Sequence, residues 1–170
     1  TDSAMGRSIV PQCYSSWVPP ITSRQNAIVS RFRNTARGES GDLLLLDGVH
    51  LVAEALNAGV HIREAAVMTV RNVRPEVADL TERLRGHDVP VAIVSASVMQ
   101  ALSPVRSPSP IVALAERPVV TGERVYRDTP LVIVAIDIQD PGNVGAIIRV
   151  SEAGGATGVV CAGASADPFG

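Results

Sequence analysis

The 170-residue chain contains no lysine, and aromatic residues make up only 3% of it. All fifteen basic residues are arginine, and with the abundant Ala, Val, Gly and Pro this indicates the codon bias of a GC-rich genome. The formal net charge is only −2, so no overall basic field points to nucleic acid. The scarcity of aromatics also argues against extensive base stacking.

Cysteine and clustered histidine are scarce as well. Cys13 and Cys161 lie far apart and form no CxxC pair, which excludes a disulfide framework and favours a reducing, intracellular compartment. His50, His61 and His87 are scattered, which predicts structural or solvated roles rather than catalytic ones. The sequence therefore predicts no metal site.

Long apolar runs are absent. The longest, Leu131–Ile136, is far below the roughly 20 residues that a membrane-spanning helix needs. The N-terminus also lacks the charged-then-apolar pattern of a signal peptide. We therefore expect a cytoplasmic protein with no membrane partner, whose 46% of hydrophobic residues can form a core in one or two compact units.

Strand-like and helix-like segments alternate between the Pro19-Pro20 pair and Ala115. This βαβ rhythm predicts an α/β fold with a mostly parallel sheet and helices on both faces. We predict a flexible tail at 1–20, a first domain at 21–117, a linker at 118–128, and at 129–170 a unit too small to fold alone.

The most informative segment follows the apolar run Leu131–Ile136, which is rich in β-branched residues and predicts a strand buried on both faces. Pro141 and Gly142 form a turn, Asn143 occupies the expected N-cap, and a helix follows. Gly145 and Arg149 are four residues apart and so share one face of that helix. This position, after the carboxyl end of a strand, is where α/β proteins place their sites.

This segment resembles the first signature motif of the SpoU (TrmH-type) branch of the SPOUT RNA methyltransferases. The matching residues are Asp140-Pro141-Gly142-Asn143-Val144-Gly145, Arg149 and Ser151-Glu152-Ala153-Gly154-Gly155-Ala156. Thr22–Asn26 with the basic helix after it, and Leu43–Val52, resemble the ribosomal-protein-like substrate-binding domain of many members. The resemblance covers residues 21–170. Asp47 stands where relatives commonly carry Glu, and the family's second and third motifs are absent.

The resemblance implies a three-layer α/β substrate-binding domain followed by the first part of an α/β-knot methyltransferase domain. It implies transfer of a methyl group from S-adenosylmethionine to a ribose 2′-hydroxyl of ribosomal or transfer RNA, by a homodimer. Arg149 and Asn143 would be the catalytic residues, with Arg149 orienting the hydroxyl. The cofactor-binding residues are expected beyond Gly170, so this chain is expected to be inactive alone.

Residues 1–37 carry five arginines against one aspartate, a local balance of +4. Ile28, Val29, Phe32 and Ala36 predict an amphipathic helix that ends near Gly38. Its stripe is flanked by Arg24 and Arg31 on one edge and by Arg33 and Arg37 on the other. These four arginines either cover the apolar stripe with their stems or bind RNA phosphates.

Two other classes of protein remain open. A non-catalytic RNA-binding protein would need only the first domain. A nucleotide-dependent enzyme of the Rossmann type is disfavoured, because no strand is followed by G-x-G-x-x-G and the Gly163–Asp167 segment does not supply that pattern.

Overall fold

The computed structural model describes residues 19–69, 74–105, 107–119, 121–126 and 129–169. It contains two sheets, which we assign to a four-stranded region (residues 19–117) and a two-stranded region (residues 129–169). The predicted tail lies outside the described residues, apart from Pro19 and Pro20.

Helices and strands alternate along the chain as the sequence predicts. Their order is α1 (Ala27–Ala36), β1 (Leu43–Asp47), α2 (Val49–Asn57), β2 (Ile62–Met68), α3 (Pro75–Gly86), β3 (Val91–Val94), α4 (Ala96–Leu102), β4 (Ile111–Glu116), α5 (Gly122–Val125), β5 (Val132–Ile136), α6 (Pro141–Ala153) and β6 (Gly158–Ala162). None of the helices in the described ranges has the length and apolar character needed to cross a membrane.

The larger sheet is mixed, so the prediction of a mostly parallel sheet is wrong. Its order is β1-β4-β2-β3, with β4 antiparallel to both β1 and β2 and only β2 and β3 parallel. Helix α4 has only seven residues, about 10 Å of helix, which is too short to return the chain along the sheet. The chain therefore enters β4 beside the carboxyl ends of β1 and β2, and β4 runs back between them.

Helices pack on both faces of this sheet, as predicted. Along β4, Ile111, Ala113 and Ala115 face the core formed with α2 and α3. Val112 and Leu114 alternate with them and face the core formed with α1 and α4. This period of two lets one fully buried strand contribute to two separate cores.

Helix α1 is placed largely as the apolar stripe predicts. The Asn26 side chain accepts a hydrogen bond from the Ile28 backbone N–H, and Ile28, Val29 and Phe32 are buried. Ala36, however, is exposed, and Thr35 is buried in its place. Burial of that hydroxyl is possible because it donates a hydrogen bond to the Arg31 carbonyl one turn earlier.

In the two-stranded region β5 and β6 are parallel. The prediction that β5 is buried on both faces is wrong. Val134 and Ile136 are 55% and 60% exposed. Helix α6 covers the face of the sheet opposite to Val134 and Ile136. The face that carries these two residues is covered only at one end, by α5, where Val125 lies against Gly158. The segment predicted as a linker therefore includes a short helix that contacts β6.

Candidate functional site

The loops that follow β5 and β6 lie side by side at the carboxyl edge of the small sheet. Asp137 adopts a positive φ of 57°, and its Oδ1 accepts a hydrogen bond from the Ala164 N–H at 2.8 Å. A Cβ placed on Gly163, which has φ 64°, would lie 2.2 Å from that same oxygen. Only glycine permits this approach, so Asp137 and Gly163 together define the shape of the two loops.

Ser165 joins the loops a second time. Its hydroxyl oxygen accepts from the Ile138 N–H at 3.0 Å and lies 2.7 Å from the Ala162 carbonyl, to which it donates. The Ala166 N–H donates in turn to the Ile138 carbonyl at 2.8 Å. These bonds hold the start of α6 at the strand ends, where α/β sheets form their binding crevices.

The N-cap of α6 is Asp140, so the prediction of Asn143 as the N-cap is wrong. Asp140 Oδ1 accepts from the Asn143 backbone N–H at 2.8 Å, and Pro141 is the first helical residue. Proline suits this position because its missing N–H would have no helical partner, which shifts the cap to the residue before it. A Cβ on Gly142 would lie 3.0 Å from Asp140 Oδ1, so Gly142 gives the carboxylate room.

Arg149 is exposed and lies against Gly145, as their spacing predicts. A Cβ built on Gly145 would lie 3.4 Å from Arg149 Nη1. Within the described residues, neither the guanidinium of Arg149 nor the side-chain amide of Asn143 has a hydrogen-bonding partner. The two residues are six positions apart and so point about 120° apart around the helix. The structure therefore brings Arg149 to Gly145 and does not join it to Asn143.

Three of the four predicted RNA-binding arginines line one cleft of about 390 Å³ between α1 and α4, which we call the arginine cleft. They are Arg24, Arg33 and Arg37, so Arg24 lies with the latter two rather than on a separate edge with Arg31. Arg31 instead donates two hydrogen bonds to the Glu64 carboxylate, at 2.6 and 2.7 Å, and this pairing raises the pKa of the guanidinium.

A second group of side chains joins the two regions. Arg117, just after β4, donates to the Asp167 carboxylate and lies 5.1 Å from the centre of the Phe169 ring. The pKa of Asp167 is lowered, first by a hydrogen bond from the Phe169 backbone N–H and then by Arg117. A cleft of about 290 Å³ adjoins this contact.

Other polar groups form no recognisable centre. The three histidines are exposed, and the described residues hold no cluster of His, Cys, Asp and Glu able to bind a metal. A groove of about 420 Å³ between β5 and α6 is lined mainly by apolar side chains such as Ile133, Ile147 and Val150. Of the described residues that line it, only Ser151 has a polar side chain, which is too few hydrogen-bonding groups for an adenosine or an amino-acid ligand.

Sequence reasoning missed several residues that shape the site. Asp140 preceding a proline is an N-cap signal that could have been recognised. The contacts of Asp137, Ser165 and Arg117 have no local signal, because their partners lie 27 to 50 residues away. The part of α4 that forms a wall of the arginine cleft was likewise not predicted to approach α1.

Comparison with known proteins places the chain among methyltransferases. Residues 18–125 match the family model described as the thiostrepton-resistance methylase N terminus. The chain is 30% identical over 162 residues to an uncharacterised tRNA/rRNA methyltransferase of Synechocystis. The aligned segment covers 91% of this chain and 56% of that relative.

Solved structures share the fold. The crystal structure of an RNA 2′-O ribose methyltransferase matches with a TM-score of 0.69 and 31% identity, over 89% of this chain and 58% of that one. An AdoMet-bound rRNA methyltransferase from Sinorhizobium meliloti matches with a TM-score of 0.73 and 24% identity, over 89% of this chain and 57% of that one. The chain thus spans little more than half the length of these relatives.

Proposed function

We infer the function from one premise: this chain belongs to the SpoU (TrmH-type) family, because the thiostrepton-resistance methylase model matches it over residues 18–125. We propose that it is part of an enzyme that transfers a methyl group from S-adenosylmethionine to a ribose 2′-hydroxyl of ribosomal or transfer RNA. The similarity to an RNA 2′-O ribose methyltransferase supports this reaction.

The observation that carries the proposal is the exposed Arg149 guanidinium beside Gly145, on a helix that starts at the ends of two parallel strands. A guanidinium is a poor base, since it holds its proton tightly and has no lone pair available to accept another. It can donate two hydrogen bonds, to the ribose hydroxyl and to the adjacent phosphate, and so stabilise the negative charge that develops on the oxygen. Asn143, in the first turn of α6, offers a further donor and acceptor for the substrate.

The cofactor in this proposal is S-adenosylmethionine, which supplies the methyl group. The apolar groove between β5 and α6 does not fit its amino-acid and adenine groups, and the polar atoms of the adjoining loops largely bond to each other. We therefore propose that the cofactor contacts come mainly from protein beyond Gly170, and that this chain is inactive alone.

We assign the RNA phosphate contacts to the arginine cleft, and so to Arg24, Arg33 and Arg37. Arg31 is left out because Glu64 already binds its guanidinium through two hydrogen bonds. The three remaining cations lie on the four-stranded region, which we propose is the substrate-binding domain.

Further features of the proposal follow from the family. They are a ribosomal-protein-like layering of residues 21–117, a linker at 118–128, a knotted methyltransferase domain that begins at residue 129, a homodimer and a cytoplasmic location. The exposed apolar side chains Val134, Ile136 and Val160 support a partner surface on the two-stranded region, since such a patch is normally covered.

Methyl transfer by the protein that the natural gene encodes tests the reaction. With saturating RNA and labelled S-adenosylmethionine, Arg149→Ala should lower the single-turnover rate by about 10²- to 10⁴-fold and leave cofactor affinity nearly unchanged. Arg149→Lys should recover little of the rate, because an ammonium cannot hold hydroxyl and phosphate in a planar fork. Arg85→Ala, an exposed arginine on α3, is the matched control.

A melting curve for each variant separates chemistry from folding. Arg149 is exposed, so its removal should leave the melting temperature nearly unchanged. A near-normal rate in Arg149→Ala, or a rate loss that follows unfolding, would show that this arginine has a structural role.

Salt titration tests the RNA contacts of the arginine cleft. Replacing Arg33 and Arg37 by Gln should flatten the plot of log affinity against log salt by about 0.7 to 0.9 for each phosphate that is no longer bound. Arg85→Gln, on the opposite face of the sheet, should leave the slope unchanged. An unaltered slope in the double variant would assign these arginines to covering the apolar stripe.

A further inference from the structure

Within the described residues, the positive charge of the arginine cleft is compensated only in part, by an exposed ion pair between Arg37 and Glu39. Arg24 is held by a 3.0 Å hydrogen bond from its Nε to the Ser97 carbonyl, which leaves both Nη groups for another acceptor. Arg33 makes no hydrogen bond there, and Arg37 reaches Glu39 only at 3.9 Å, beyond hydrogen-bonding distance. In the part of the chain that the structure describes, no acidic side chain lines the cleft. Three guanidinium groups in this setting bind a phosphate readily.

The rest of the cleft is neutral and mainly apolar. Ala36, Ala101 and Pro104 present hydrocarbon to it. The exposed side-chain amide of Gln100 also lines the cleft, and it forms no hydrogen bond with the described residues. This amide offers both a donor and an acceptor. A phosphate would not contact these apolar residues or require the Gln100 amide. A nucleobase matches both, because it has flat apolar faces and a hydrogen-bonding edge.

The wall that carries Pro104 is held in position from behind. Ser103 is only 7% exposed, and its hydroxyl donates to Asp47 at the end of β1. The same oxygen accepts from the Val105 N–H at 3.3 Å. Because the bond to Asp47 joins the end of α4 to the sheet, the cleft exists before a ligand binds, which lowers the entropic cost of binding.

The size of the cleft and the chemistry of RNA narrow the ligand further. A volume of about 390 Å³ is near the lower end of the roughly 300–1,000 Å³ typical of small-molecule sites, and so suits one nucleotide. In a paired A-form helix the base edges in the deep, narrow major groove are out of reach of side chains and the faces of the bases are stacked, whereas an unpaired nucleotide exposes both its edge and its faces. Among the described residues no aromatic side chain lines the cleft, so these residues recognise the base by its edge rather than by stacking.

We propose that the arginine cleft binds a single unpaired nucleotide of the RNA substrate, with its phosphate on Arg24, Arg33 and Arg37 and its base edge at Gln100. This inference rests on the proposed function and adds to it the class of RNA that the four-stranded region selects.

Fluorescence anisotropy with two labelled RNA hairpins of equal length tests the inference. One hairpin has a fully paired stem, and the other carries a single-nucleotide bulge, in four versions with A, C, G or U. The 170-residue chain should bind at least one bulged version about 5-fold more tightly than the paired hairpin, which is the effect of one typical hydrogen bond to the base edge. Gln100→Ala should abolish this preference and leave affinity for the paired hairpin unchanged.

Two further variants separate the possible outcomes. Gln25→Ala, an exposed glutamine outside the cleft, should keep the preference, and Arg33→Gln should weaken binding to both hairpins. Equal affinity for both hairpins, with Arg33→Gln weakening each, would overturn the unpaired-nucleotide site and leave the proposed RNA contact intact. A preference that survives in Gln100→Ala would overturn the placement of the base. Salt-independent or undetectable binding of both hairpins would contradict the proposed function as well.

Discussion

In the four-stranded region helices cover both faces of the sheet, whereas in the two-stranded region α6 covers one face and α5 only an end of the other. Among the described residues, every buried hydrophobic side chain belongs to the four-stranded region except Ala135 and Val144. Six of the ten exposed large hydrophobic residues lie in the shorter, two-stranded region, namely Leu131, Val134, Ile136, Val150, Val160 and Phe169.

The difference shows that the two regions obtain their structure from different forces. The four-stranded region is stabilised by burial of its own apolar surface. The loops of the two-stranded region are instead shaped by hydrogen bonds of Asp137, Asp140 and Ser165. The candidate catalytic geometry is therefore locally defined even where apolar surface stays exposed.

Truncating one apolar side chain in each region should give the largest difference between the regions in the free energy of unfolding. Phe32→Ala should lower the free energy of unfolding by about 3–5 kcal/mol, because Phe32 is completely buried against α4 and the sheet. Val134→Ala, at a position that is 55% exposed, should change it by less than about 0.5 kcal/mol. Urea denaturation of both variants measures the two values. A large loss for Val134→Ala would mean that another surface covers this face in solution.

Substitution of two glycines in the two-stranded region tests whether its loops depend on close contacts. Gly163→Ala should destabilise the β5–β6 pair by about 2–3 kcal/mol, since a Cβ there combines positive φ with a collision at Asp137. Gly155→Ala also has positive φ but faces open space, so it should cost only about 1–2 kcal/mol. Hydrogen exchange of the β5 and β6 amides measures both. Equal effects would show that backbone strain alone requires glycine at residue 163.

Removal of the α6 N-cap should have a smaller effect. Asp140→Ala should raise the free energy of the first turn of α6 by about 1 kcal/mol, because the Asn143 N–H loses its acceptor. Asp140→Asn keeps an acceptor and is the matched control. The exchange rate of the Asn143 and Val144 amides reports the change. If Asn143→Ala rather than Asp140→Ala accelerated exchange, the cap would be assigned wrongly.

Loss of the Arg117–Asp167 contact between the two regions should change the free energy of unfolding least, and the size of this change depends on pH. The pKa of Asp167 is lowered in the folded protein, so its ionised carboxylate stabilises the fold. This contribution is complete above the unfolded pKa of about 4 and is lost as the pH falls through the folded pKa. The exposed pair with Arg117 should contribute no more than about 1 kcal/mol.

Titration of the Asp167 carboxyl by NMR separates the two causes of this shift. Arg117→Gln should raise the pKa only in part, because the hydrogen bond from the Phe169 N–H remains as the larger cause. A full return to the ordinary aspartate value in Arg117→Gln would show that the contact between the regions, and not the local turn, lowers this pKa.

The features predicted correctly from the sequence are those that neighbouring residues control. The burial of Ile28, Val29 and Phe32 in α1 and the succession of β5 and α6 follow from the spacing of apolar residues. The placement of Arg149 against Gly145 follows in the same way from the pitch of the helix. The misassigned N-cap was also local, and Asp140 before Pro141 contained the correct signal.

The sequence by itself thus determined the alternating elements, the strand-turn-helix that carries Arg149 and membership of an RNA methyltransferase family. Only the tertiary structure decided the reversed direction of β4, the exposure of one face of β5, and the grouping of Arg24 with Arg33 and Arg37 while Arg31 binds Glu64. The physical reason is that strand direction, burial and ion pairing depend on contacts between residues far apart in the chain, whereas helix pitch and turn geometry depend on residues a few positions apart.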